Sequence, residues 1–163
     1  DNKKDISYAI ENSVGNLEIR CRSAKDVDYS AISLIEKWRA CSGRYLSLHM
    51  PDIKYCDGEF SGVDKWYAAL EFAKALGVNG VTIHPPVASR LEMKNGAVYG
   101  EFLRYYADAV RFLGAGVVVG IENMHMSKGE INDGSCRFGI CYYYGRNHRW
   151  KQSERKILCL CQR

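Results

Sequence analysis

Gly80-Val81-Thr82-Ile83-His84-Pro85-Pro86 is a short, β-branched run cut off by a histidine and two prolines. Proline has no N–H to give a sheet ladder, and it pushes the residue before it toward extended geometry. The run is therefore read as a buried strand that delivers the His84 ring to the carboxyl end of a sheet. The same pattern stands 35 residues earlier, in Tyr45-Leu46-Ser47-Leu48-His49-Met50-Pro51. It returns in altered form 38 residues later, in Val117-Val118-Val119-Gly120-Ile121-Glu122-Asn123. Three similarly spaced strands each end in a side chain able to ligate a metal.

Between these strands the apolar spacing turns helical. Ile6, Ala9 and Ile10 share one face of 5–13, which reads as the end of a helix, and Leu17 to Cys21 alternates as a strand. Asp28 is a candidate cap for a helix to about Ala40, with Ile32, Ile35 and Trp38 on its inner side. The loop 52–62 is polar and contains glycine, as suits a loop that carries function. Ser61 with Asp64 resembles a capping box for a helix bearing Trp66, Ala69, Leu70, Ala73 and Leu76, which Gly77 closes. Phe102, Tyr105, Tyr106, Ala109, Val110 and Leu113 give a further apolar helical face, stopped by Gly114. The aromatics at this spacing are read as core.

The order is α-β-α-β-α-β-α-β, with central strands so apolar that they read as buried on both faces of a parallel sheet. A doubly wound dinucleotide fold needs a glycine-rich phosphate turn after a strand, and the strand ends here carry His-x-Pro, His-Pro-Pro and Glu-Asn instead. Side chains converging from several strand ends are what the top of a (β/α)8 barrel provides. The fold class expected is thus α/β, a partial barrel of about four parallel strands with crossover helices. A full barrel runs to roughly 250 residues.

The chain has 163 residues, 47% hydrophobic and 26% charged, enough for one domain with a core. No apolar run reaches the ~20 residues of a membrane-spanning helix, so no membrane partner is expected and the cytoplasm is the default location. The net charge of +4 is unevenly placed. Residues 1–130 hold 16 Lys+Arg against 17 Asp+Glu, whereas 131–163 hold 7 against 2. The body that carries the strand-end motifs is near neutral and gains no nucleic-acid credential from charge. Residues 131–163 form an irregular, basic, cysteine-rich tail in which only Ile157-Leu158-Cys159-Leu160 reads as a strand. Its C-x4-C and C-x-C pairs lack the C-x2-C spacing of common structural zinc sites. Seven cysteines without an export signal favour free thiols.

Taken together, Ser47-Leu48-His49-Met50-Pro51, Phe72-Ala73-x-Ala75-Leu76-Gly77-Val78, Ile83-His84-Pro85 and Gly120-Ile121-Glu122-Asn123 resemble the xylose isomerase-like TIM barrels. That superfamily holds sugar and sugar-phosphate isomerases and epimerases, and the endonuclease IV nucleases that act on abasic DNA. The similarity covers roughly residues 5–130. It implies that His49, His84 and Glu122 are metal ligands, with Glu122 also an acid/base in the isomerase branch. It implies a divalent metal, Zn, Mn, Mg or Co, and a sugar or sugar phosphate as partner. Nucleic acid becomes the partner only in the nuclease branch.

The resemblance also implies that a first strand and the sixth to eighth strands, with their ligands, are missing. A truncated or frame-altered product, catalytically incomplete and prone to self-association through open barrel edges, is the corresponding expectation. Asp52 is placed to orient His49 or to form an Asx turn. Glu18 either faces the barrel interior or is a paired structural carboxylate. Asn123 and His125 are candidates for bracing Glu122 or lining its loop.

Overall fold

The computed structural model describes residues 2–89, 92 and 96–122, and the backbone of 135–137. Asn123, His125 and the remainder of 131–163, with the strand expected at 157–160, lie outside the described residues. The elements are α1 (Asn2–Glu11), β1 (Asn16–Arg20), α2 (Ile32–Cys41), β2 (Tyr45–His49), β3 (Lys54–Cys56) and β4 (Glu59–Ser61). They continue with α3 (Val63–Leu76), β5 (Gly80–Ile83), β6 (Val87–Ser89), α4 (Ala97–Leu113), β7 (Val118–Ile121) and β8 (Ser135–Arg137).

The main sheet has four strands in the order β1-β2-β5-β7, all parallel. Spatial order follows chain order, without the reversal that defines a doubly wound sheet. Right-handed crossovers then place every connecting helix on one face. Accordingly α1 packs on α2, α2 on α3 and α3 on α4, in a single layer.

The strand pattern follows from that layering. Leu46 and Leu48 are buried toward the helices, with Ile19, Val81, Ile83 and Val119 beside them. Ile35, Trp38, Leu70, Phe72, Leu76 and Phe102 meet them from the helix side. The intervening residues point the other way, and Tyr45 and Val118 stay 42% and 50% exposed on that face. Burial on both faces was the expectation from the apolar runs; among the described residues the helix face is buried, whereas the second is partly covered, with Ser47 and Thr82 half-buried and Tyr45 and Val118 exposed. The second face carries Glu18, Ser47, His49 and Thr82, and it is the polar one.

Some local signals resolve differently from expectation. The first helix spans Asn2–Glu11 and so ends two residues before the expected 13, because Ser13 turns the chain at φ +53°. Asp28 caps a 3-10 turn, accepting from the Ser30 N–H, and α2 starts only at Ile32. The N-cap of α3 is Gly62, without a side-chain cap, and Ser61 donates instead to the Lys54 carbonyl. Gly77 closes α3 in the left-handed region as expected.

A second, small sheet in the order β4-β3-β6-β8 was not expected. Asp57 and Gly58, at φ +53° and +89°, form the tight turn between β3 and β4. β3 follows β2 by a few residues and β6 follows β5 likewise, so this sheet is built from loops at the carboxyl rim of the main one. Phe60 ties the hairpin to α4 by an edge-on contact with Tyr105, centroids 5.1 Å apart. No helix among the described residues is long and apolar enough to cross a membrane.

Cys21 ends the buried row of β1, and burial together with the Asp26 charge pushes its thiol up to about 12. A thiol held neutral and covered is a poor nucleophile. Under native conditions a disulfide reagent is expected to label the exposed Cys41 and Cys56 and spare Cys21, as read by peptide mass spectrometry. Labelling of Cys21 at the rate of Cys41 would contradict this packing.

Candidate metal centre

The site forms where three neighbouring strands run out. His49 is the last residue of β2, and Pro51 two positions on ends the ladder. His84 and Glu122 each follow the last residue of their strands, β5 and β7. The Glu122 N–H donates to the Ile83 carbonyl at 2.9 Å and the Met50 N–H to the Thr82 carbonyl at 2.9 Å, which keeps the three ends in register.

The side chains converge. His49 Nε2 and His84 Nε2 lie 2.5 Å apart, with the rings at 76° to one another. Glu122 Oε2 sits 3.3 Å from the first nitrogen and 3.2 Å from the second. Each imidazole side chain is 12% exposed and the Glu122 side chain 42%, so the rings are shielded while the carboxylate faces solvent. Among the described residues, this is the one group of three metal-capable side chains so disposed.

The outer nitrogens are also engaged. Glu18 Oε1 lies 3.1 Å from His49 Nδ1, and Asp52 Oδ1 lies 2.5 Å from His84 Nδ1. Burial pushes the Glu18 carboxyl up, but hydrogen bonding and charge from His49, then from Arg20, outweigh it and hold the group below the usual glutamate value. An ionised carboxylate only accepts, so in the neutral rings Nδ1 carries the hydrogen and each Nε2 presents a lone pair. Two lone pairs and a carboxylate oxygen meeting at one place repel each other unless positive charge sits among them. A divalent cation matches that demand. Two imidazole nitrogens with one carboxylate oxygen make a donor set suited to zinc, manganese or cobalt, and less to magnesium, which prefers oxygen.

The structure thus brings together His49, His84 and Glu122, the three residues singled out by their strand-end positions. Asp52 does contact a histidine, but that histidine is His84, across the sheet, rather than its sequence neighbour His49. Glu18 is both things at once: it pairs with Arg20 at 3.2 Å and reaches over the open face to His49. Tyr105 and Tyr106 belong to the packing between α3, α4 and β7, where the Tyr106 hydroxyl donates to the Val119 carbonyl.

A one-directional parallel sheet in chain order, backed by one layer of helices and carrying polar groups at its carboxyl rim, is part of a (β/α)8 barrel. Among solved structures the chain is similar to a D-tagatose 3-epimerase-like protein, with a TM-score of 0.52 and 19% identity. The match covers 69% of this chain and 45% of that one, so the chain spans less than half the length of the protein it matches. No protein-family model matches the chain, and no curated protein does. At this identity the likeness speaks for the fold.

Proposed function

We propose that the chain belongs to a divalent-metal-dependent sugar or sugar-phosphate isomerase or epimerase, in which a proton is moved at the carbon next to a carbonyl. One observation carries the reading: the Nε2 atoms of His49 and His84 and a Glu122 oxygen converge at the carboxyl rim of a barrel-ordered sheet. His49, His84 and Glu122 are the ligands in this reading. A cation held there would polarise substrate oxygens and make the neighbouring C–H more acidic. Glu122, the most exposed of the three, is the residue assigned to accept or return that proton. The name of the structural neighbour is consistent with this class. In this reading the catalytic unit is carried by residues 1–130, in the cytoplasm, although Ser135–Arg137, expected to belong to the tail, pairs with β6 in the second sheet. The reaction also calls for a second acid/base facing Glu122 across the substrate; no strand end of the sequence offers a candidate, which speaks for an incomplete site.

A second reading has its own support. Two imidazoles directed at one point are a zinc-favouring arrangement, and zinc also serves phosphodiester hydrolysis, as in the endonuclease IV branch. The full chain, loaded in turn with zinc, manganese and cobalt, separates the two. Incubated in D2O with ketoses and their phosphates, an isomerase or epimerase exchanges the carbon-bound proton, which NMR detects. Cleavage of an abasic-site duplex with two or three zincs bound would favour the nuclease. Stoichiometric metal with neither activity would leave a non-catalytic product. Weighing the same sample by light scattering tests self-association through the β1 and β7 edges, which a clean monomer would rule out.

A further inference from the structure

We infer that Glu18 and Asp52 are positioning residues. Each holds the Nδ1–H of one imidazole, so that both Nε2 lone pairs are aimed at the point Glu122 also faces. The inference rests on reading His49, His84 and Glu122 as metal ligands and deepens it.

Neutral imidazole carries its single hydrogen on either nitrogen, and a partner that can only accept selects the nitrogen it faces. Glu18 Oε1 faces His49 Nδ1 at 3.1 Å and Asp52 Oδ1 faces His84 Nδ1 at 2.5 Å. The two carboxylates come from different elements. Glu18 lies on β1, level with Ser47 and therefore one layer below His49. Asp52 lies in the segment between β2 and β3. Their side chains are 38% and 41% exposed, so neither fills the core. Arg20 Nε donates to the same Glu18 oxygen at 3.2 Å, which helps to anchor the carboxylate. Left to themselves, two rings with their Nε2 atoms 2.5 Å apart would settle this contact by moving one hydrogen to an Nε2. The outer carboxylates oppose that exchange and keep the inner side free for a cation. Such outer partners typically contribute about 10–100-fold to metal affinity.

The test uses the full chain without metal at about pH 8, and the same spectra read whether each ring carries one hydrogen or two. Nitrogen–proton correlation NMR reads the tautomer of each ring. Both rings are expected as Nδ1–H in the parent, with Glu18→Ala releasing His49 alone and Asp52→Ala releasing His84 alone. Zinc affinity by competition titration is expected to fall about 10–100-fold in each, with Glu18→Gln and Asp52→Asn recovering part because a neutral acceptor remains. Rings that keep Nδ1–H in both alanine variants would overturn the inference. So would zinc affinities within about twofold of the parent's. If the parent binds no zinc, the metal reading falls, and the tautomers alone decide whether the carboxylates position the rings.

Discussion

Replacing His84 with alanine is expected to weaken divalent-metal binding by at least ~100-fold, and replacing His49 should do the same. Zinc sites gather on the order of 10–16 kcal/mol from four ligands, about 3 kcal/mol for each, which sets the scale. The two effects should match, because Glu122 Oε2 stands 3.2 Å from one ring nitrogen and 3.3 Å from the other. Glu122→Gln keeps the shape, removes the charge, and is expected to lose as much. Without metal the sign changes. The facing nitrogens repel, so either histidine variant should be as stable as the parent or more stable by up to ~1 kcal/mol, as for other sites built for function rather than stability. Calorimetric titration and thermal unfolding of the same samples check both halves. A variant that keeps full affinity would remove that residue from the site.

The largest effect on stability is expected at Trp38. Its side chain is fully buried beneath β2 and its indole N–H donates to the Val14 carbonyl at 2.6 Å. Trp38→Ala should cost about 3–5 kcal/mol, the usual range for emptying such a site, or roughly 10 °C in Tm for a chain of this size. The Val14 carbonyl keeps Ser42 Oγ at 3.2 Å as a donor, so no further charge for an orphaned acceptor is added. The same wall can be pressed from outside. A Cβ on Gly43 would stand 2.6 Å from the Trp38 ring, which has no room to give, and Gly43→Ala should cost about 1–3 kcal/mol. Gly116, with nothing within 4 Å of a added Cβ, is the control, and Gly116→Ala should stay within about 0.5 kcal/mol. Equal unfolding midpoints for the two glycine variants would refute this account of the packing.

The main sheet was legible because its signals are local. Prolines after His49 and His84 end their strands, and Gly77 and Gly114 end the helices that precede the next ones. The chain therefore declares where each βα unit begins and ends. The three residues of the candidate centre could be found because each stands where an apolar, β-branched run ends, two of them marked by a following proline. The braces could not be found the same way. Asp52 lies 32 positions from His84 and Glu18 31 from His49, and only the strand register decides which histidine each carboxylate meets. The hairpin over 54–61 was missed although its Asp57-Gly58 pair is a strong turn signal. Its strands are three residues each, too short for alternation to stand out from a polar loop. The open polar face was misjudged for another reason. Gly80, Thr82 and Gly120 are small enough to read as part of an apolar run, and only the sheet shows that they point away from the helices.

From Glu18 through His49, Glu122 and His84 to Asp52, contacts run across all four strands of the main sheet. A cation at their centre would fasten chain positions 49, 84 and 122 to one another, acting as a clasp on a sheet whose final strand among the described residues, β7, pairs with β5. Occupancy would then be felt as rigidity: amide hydrogens of β7 should exchange more slowly as metal is added, in proportion to the free energy of binding.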